Sequence, residues 1–498
     1  MLEEYRQRFR DFHTHWQREQ YLFRAGRKAR LESAHLIHEN SDLFANSVLA
    51  ELTARHAEVA AYRATERDAI QRLLAFARAG QLANRTLELT EELAAYEAHP
   101  AIQWDGARLT IRQAQLRLAQ EAAPQRRREL GARRAEAIHR AQDLRAERFA
   151  KLQTGGQAFG YDHLLALHSA THHVELEKLT AQTAQLLAKT ESPYVAALKP
   201  LLAHEANAGL DEATSADLSY LQRLARFDPY FPATRAGEIY AELFAGLGFK
   251  VEQQPHVELD TIARPGKQAR AFCATVQIPD EIKLVASLDG THDGHAFYQG
   301  FIHAAGQTQL AAWTSAELQY EFRVPGDAAL SEVWGTLFSQ LLLDAEFLVG
   351  NFGFPASSEF RHALALFKLL HVRRAAALLQ YETEFHAGKL SRNAGARFAE
   401  LMTDGVRVRY DEAQCLRAIE APFHSANLLR AWAFEAQLRE HLKTRFGTRW
   451  WAARKAGELL IDLWNTGHRH SVEELAALVG LGELDFTWFG AELLAALE

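Results

Sequence analysis

Residues 295–310 read His-Ala-Phe-Tyr-Gln-Gly-Phe-Ile-His-Ala-Ala-Gly-Gln-Thr-Gln-Leu. His295, Gln299, His303 and Gln307 recur every four residues, so on a helix they form one polar line. Phe297, Phe301, Ile302, Ala305 and Leu310 make the other faces apolar. Such a line either finds hydrogen-bond partners in a core or borders an opening, because an unpaired buried polar group costs about 1–3 kcal/mol. The residues alone leave both readings open.

A second helix is expected over residues 328–349, where Glu332 stands among Leu330, Val333, Trp334, Leu337 and Phe338. Acids are seldom buried without a partner, so Glu332 reaches solvent or meets a cation. A histidine with a nitrogen donor one turn on, then a glutamate on another helix about 25–30 residues later, is the ligand layout of a glutamate-type zinc peptidase. In that layout water takes the fourth metal position.

Around this core motif the chain is mostly helical in pattern. Residues 1–227 are rich in Ala, Leu, Glu, Arg and Gln, with apolar residues at three- and four-residue spacing. Ile138, Ala141, Leu144, Phe149 and Leu152 form one such stripe, irregular only between Leu144 and Phe149. Breaks are expected at His99-Pro100, at Pro124 and at Thr154-Gly155-Gly156. Asp228-Pro229-Tyr230-Phe231-Pro232 marks a boundary between an N-terminal helical region, 1–227, and a second region, 228–498. Over 249–289 the segments FKVEQQPHVEL, ARAFCATVQI and IKLVASL are short and β-branched or alternating, which predicts a small sheet. Helices resume over 295–315, 328–349 and 359–498, and no fixed-period repeat is present.

Composition narrows the function. The 498 residues carry 56 basic and 63 acidic groups, a formal net charge of −7, which gives no electrostatic reason to expect nucleic acid or an anionic membrane as partner. Two cysteines, Cys273 and Cys415, build no disulfide framework and no Cys/His zinc cluster. The opening MLEEYRQRFRDFHTHW lacks the apolar segment of a secretion signal, and no apolar run approaches the ~18 residues of a membrane span. A cytoplasmic protein is expected. His168 and His172 have helical metal-pair spacing near Glu175, but histidines number 23, so chance adjacency is the simpler account.

Residues 269–348 resemble the thimet oligopeptidase and oligoendopeptidase F family of zinc peptidases. There, a strand and loop lead into a helix bearing His-Glu-x-Gly-His; here the run is Phe301-Ile302-His303-Ala304-Ala305-Gly306-Gln307. Glu332, in Ser331-Glu332-Val333-Trp334, matches the family's third ligand, and ARAFCATVQIP resembles the sheet beside the active helix. Residues 421–428, Ala-Pro-Phe-His-Ser-Ala-Asn-Leu, fall where oligoendopeptidases carry Pro-Phe-Tyr-x-x-x-Tyr. The resemblance implies a mainly α, large helical metallopeptidase-like body, with one small sheet beside the motif helix and a deep central cleft.

The departures from the family pattern bear on activity. His303 and Glu332 stand at two ligand positions, but Gln307 replaces the second histidine, and an amide is a poor zinc ligand beside imidazole. Ala304 replaces the glutamate that serves as general base, a role worth about 10²–10⁴ in rate. His424 and Leu428 fall at the tyrosine positions that stabilise the transition state, and Leu428 can donate no hydrogen bond. The expectation is a non-catalytic oligopeptidase-fold protein that holds zinc weakly or not at all in ordinary purification and binds short peptides or a protein partner. His292, His295, His424 and Asn427 are its candidate binding residues. The alternative is an active peptidase whose metal site is rebuilt with His292 or His295. His295 lies two turns from His303, about 12 Å along the axis, which leaves His292 as the better replacement.

Overall fold

The dipeptide Asp105-Gly106 shows how local chemistry shapes this chain. Both residues have positive φ, 49° and 79°, the conformation a two-residue hairpin turn demands. They join strand β1, Ile102–Trp104, to the antiparallel strand β2, Ala107–Leu109. This hairpin corrects the expectation that residues 1–227 are helical throughout apart from short breaks, and that the chain has one sheet only. The structure is a computed structural model and describes residues 2–290, 293–324, 326–355, 358–390 and 393–498.

The expected small sheet is present, within narrower limits. β3 (Val257–Asp260) runs parallel to β5 (Glu281–Val285), and β4 (Phe272–Gln277) pairs antiparallel with β5, giving the order β3-β5-β4. In β4, Phe272, Ala274 and Val276 are buried while their neighbours are half-buried, the two-residue period of a strand with one face inward. Residues 249–256, read as strand, instead form a loop with a 3₁₀ turn at Val251–Gln253. Two other expectations need correction. The helix Gln142–Ala158 runs straight through Gly155 and Gly156, both buried, so packing there outweighs the helix penalty of about 1 kcal/mol per glycine. The helix expected over 328–349 divides into Ala328–Ser339, a 3₁₀ turn at Gln340–Leu343, and Ala345–Phe352.

The chain packs into two compact units, each built from separated segments. The first comprises Met1–Asn84, Ala225–Ala356 and Arg430–Asp485; the second comprises Arg85–Leu224, Ser357–Leu429 and Phe486–Glu498. One crossing, at 224–225, falls close to the boundary read at Asp228, but the units are not the linear regions 1–227 and 228–498.

In the first unit the motif helix, His295–Trp313, packs on β4, β5 and the helix Ala328–Ser339. Phe338, Trp450 and Trp464 are fully buried beside it, so the tryptophans serve the core. The N-terminal helix Leu2–Arg24 covers β4, with Tyr21 and Ala25 against Phe272, Ala274 and Val276. At the end of β3, Asp260 is buried and gathers Tyr21 Oη (3.1 Å), Arg27 Nη2 (3.1 Å), Arg264 Nη1 (2.8 Å) and Lys267 Nζ (3.3 Å). Burial alone would raise its pKa. The hydrogen bond from Arg264, the charge of Lys267 and the hydrogen bonds from Arg27 and Tyr21 outweigh that and hold the carboxyl at about 2.

In the second unit two long helices, Leu176–Glu205 and Ser358–His386, lie along one another. Arg373 pins them, donating to Leu187 O (2.6 Å) and Thr190 Oγ1 (2.7 Å). The stripe at 138–152 also resolves here. Arg145, 1% exposed, fills the step between Ala141 and Phe149, and its guanidinium is bound by Glu97 and Glu420. A paired arginine thus occupies a helix face that hydrophobicity alone left irregular.

Candidate functional site

The motif helix is apolar because it is enclosed. Phe301, Ile302, Ala304 and Ala305 are each no more than 2% exposed. Gln299 is exposed, while His303 and Gln307 are half-buried, so the polar line opens outward along this part of the helix. His295 departs from it and is 2% exposed in the first helical turn.

Two glycines let the helices meet closely enough for the site to form. A Cβ on Gly306 would lie 2.2 Å from Trp334 O, so only glycine permits this approach of helix to helix. Across the contact, a Cβ on Gly335 would lie 2.5 Å from the His303 ring; the imidazole rests on the bare backbone at that position. Gly335 escaped sequence reasoning, although a lone glycine inside an apolar helix is a signal for close approach. Gly335→Ala is therefore expected to turn His303 out of its seat and to cost about 1–3 kcal/mol of stability. The checks are the His303 imidazole shifts in NMR and a thermal melt; unchanged shifts would count against the seat.

A second feature beyond the sequence reading fixes the helix that bears Glu332. Asp327 caps it, accepting from Ala329 N at 3.0 Å. Asp327 also takes both Nη1 and Nη2 of buried Arg430, at 2.9 and 2.5 Å, and the amide of Val472 at 3.1 Å. Glu473 shares the same guanidinium, at 2.7 Å from Nε and 2.6 Å from Nη2. Burial would raise the Asp327 pKa, but the Arg430 charge and these hydrogen bonds hold it below the usual range. No sequence spacing links residues 327, 430 and 473.

On this scaffold His303, Gln307 and Glu332 converge. His303 Nε2 lies 3.3 Å from Glu332 Oε2 and 3.2 Å from the Gln307 amide nitrogen. The side chains of His303 and Glu332 retain 17% and 21% exposure. A ring nitrogen carries either one proton or one lone pair, so it cannot serve both neighbours as the amide is oriented. Nε2 therefore either donates to Glu332 or accepts from the Gln307 amide, serving one neighbour at a time. The three side chains are thus gathered about one imidazole nitrogen.

The donor set does not fit a peptidase zinc centre. It offers one imidazole, one carboxylate and an amide in place of the second imidazole, and the imidazole and carboxylate already engage each other. Ala304, at the base position, is 1% exposed and carries no proton acceptor. Among the described residues, the grouping of three metal-capable donors within 4.8 Å is elsewhere, at His204, Glu205 and Glu359 of the second unit, mostly exposed.

The other candidates are placed as follows. His292 lies outside the described residues. His295 is buried two turns from His303, about 12 Å along the helix axis, and does not join the group. His424 is exposed and Asn427 and Leu428 are half-buried at the start of the helix His424–Phe446, in the second unit. Phe423, just before them, is buried with φ of 55°.

No family model matches the sequence, and no curated protein does. Solved structures do. One is PZ peptidase A with inhibitor 2, at a TM-score of 0.64 and 14% identity, covering 90% of this chain and 84% of that one. Another is a putative oligoendopeptidase F from Bacillus anthracis str. Ames, at a TM-score of 0.62 and 12% identity, covering 93% of this chain and 82% of that one. No described helix is long and apolar enough to cross a membrane. The agreement over nine-tenths of the chain, with mainly helical structure and the motif helix beside a small sheet, shows that this protein has the oligoendopeptidase-like metallopeptidase fold.

Proposed function

We propose that this chain is a non-catalytic member of the oligopeptidase structural class, retaining the fold for binding short peptides or a protein partner. The observation that carries the reading is the His303–Gln307–Glu332 group, in which a carboxylate and an amide crowd one imidazole nitrogen, with buried Ala304 where a peptidase places its base. A fold can outlive a chemistry, since function resides in the site and not in the scaffold. Hydrolysis at neutral pH needs a polarised water and a group to take its proton, and this donor set supplies neither. Zinc is the metal that the resemblance implies, and these residues hold it weakly.

The expected result is background hydrolysis by wild-type protein supplied with zinc, together with substoichiometric zinc after purification without chelator. Elemental analysis and a panel of fluorogenic peptides measure both. Anisotropy of the same peptides, labelled but uncut, reads binding. Robust chelator-sensitive cleavage of any of them would overturn the reading and make His292 the first residue to mutate.

A further inference from the structure

The second unit has an open pocket of about 660 Å³, within the size range of small-molecule sites. Its lining carries five arginines and a single carboxylate, that of Asp411. Asp411 is already committed, accepting from Ala413 N at 2.8 Å as a helix cap.

The arginines are not equally satisfied. Arg417 is held by Glu97 through bonds of 2.8 and 3.1 Å, and Arg128 reaches Glu212 at 3.0 Å. Arg134, from the helix Pro124–His139, is 8% exposed, and its Nε is buried with no hydrogen-bond partner among the described residues. Among the described residues no ion pair holds it there. The carboxylate nearest in charge, Glu97, is claimed by Arg145 and Arg417. Arg374, on the neighbouring long helix, is exposed and likewise has no ion pair among the described residues. Burial first, then the charges of Arg417 and Arg374 against the pull of Glu97, together lower the Arg134 pKa to about 10. It is still charged at neutral pH. A buried guanidinium facing other guanidinia is costly unless an anion joins it. Ser219, whose Oγ accepts from Gln115 at 2.7 Å, and the Tyr410 hydroxyl add neutral polar groups to the same wall.

We propose that this cavity binds a small organic molecule bearing a multiply charged oxyanion, phosphate or polycarboxylate, seated on Arg134, Arg374 and Arg417. Planar guanidinium forks match either oxyanion, and a single inorganic ion would fill little of the space. The site lies wholly within the second unit and stands independently of any peptide binding by the His303 group.

Calorimetry on the full chain with inorganic phosphate, pyrophosphate and citrate, at constant ionic strength, tests it. Pyrophosphate or citrate should bind saturably with a Kd below about 1 mM, and which one binds distinguishes phosphate from carboxylate chemistry. Arg374→Ala, at an exposed position, should weaken that binding by about tenfold. Arg134→Met should abolish it and raise the melting temperature of the ligand-free protein, because an unpaired buried cation is removed. Absence of saturable binding by all three anions overturns the proposal. So does binding that Arg374→Ala leaves unchanged, or a melting temperature lowered by Arg134→Met, which would make Arg134 a structural residue.

Discussion

Gln307→His is expected to raise zinc affinity by about 100-fold while leaving peptide turnover at background. Structural zinc sites gain about 10–16 kcal/mol from four ligands, so one imidazole in place of an amide is worth roughly 3 kcal/mol. The position suits the change. Gln307 is half-buried, one turn from His303 on the same helix face, and its amide already reaches 3.2 Å from His303 Nε2. Gly306 and Gly335 stay in place to keep the two helices close. Turnover should not follow, because Ala304 still provides no base, and parts of one catalytic unit do not act additively. Ala304→Glu alone should add no activity and should destabilise the protein, since it forces a carboxylate into a position 1% exposed. Zinc titration against a chromogenic chelator, run beside a fluorogenic peptide assay, gives both readings. Equal zinc affinity in wild-type and Gln307→His protein would mean that residue 307 does not face the metal position.

Asp260→Ala is expected to lower the stability of the first unit by about 3–5 kcal/mol, the penalty for breaking a buried ion-paired group by removing one partner. The lost carboxylate leaves Lys267, with 1% of its side chain exposed, and Arg264, with 18%, facing one another. It also unties Tyr21 of the N-terminal helix from the end of β3. The same group sets an acid limb. Its folded pKa, about 2, lies below the ordinary value of 3.8, so its stabilisation is complete above about pH 4 and is lost as pH falls through that value toward about 2. Urea unfolding at pH 7 measures the first effect. A pH series in wild-type and Asp260→Ala protein measures the second, and parallel acid limbs in the two would remove Asp260 from the account.

Much of the architecture was legible in the sequence where a local rule governs it. The alternation in FCATVQ became β4, with Phe272, Ala274 and Val276 inward, because a strand's two-residue period is fixed by covalent geometry. The motif helix covers nearly the expected residues for the same reason, and the helix ending at Ala98 stops before Pro100. The hairpin at Asp105-Gly106 was equally local and was passed over; Asp-Gly between short apolar-polar strands is a turn signal that helical composition on both sides masked. The chemical identity of the site also lies in sequence, since His303, Ala304, Gln307 and Glu332 can be judged as donors and bases from residue type.

Tertiary structure decided the rest. Gly155-Gly156 reads as a breaker, yet both residues sit inside a helix, because the energy of burial there exceeds their conformational cost. The first unit draws on three stretches of chain separated by more than seventy residues, and no linear pattern encodes that assembly. Arg145 in an apolar stripe, Arg430 between Asp327 and Glu473, and Arg134 in its cavity have the same cause. Burying a charge is favourable only where partners arrive from distant segments, and Arg134 stands out because its Nε has none among the described residues. The closure of His303 on Glu332 belongs here too. Residue types name the two groups, but the 3.3 Å between them exists because Gly306 meets Trp334 and Gly335 meets the His303 ring.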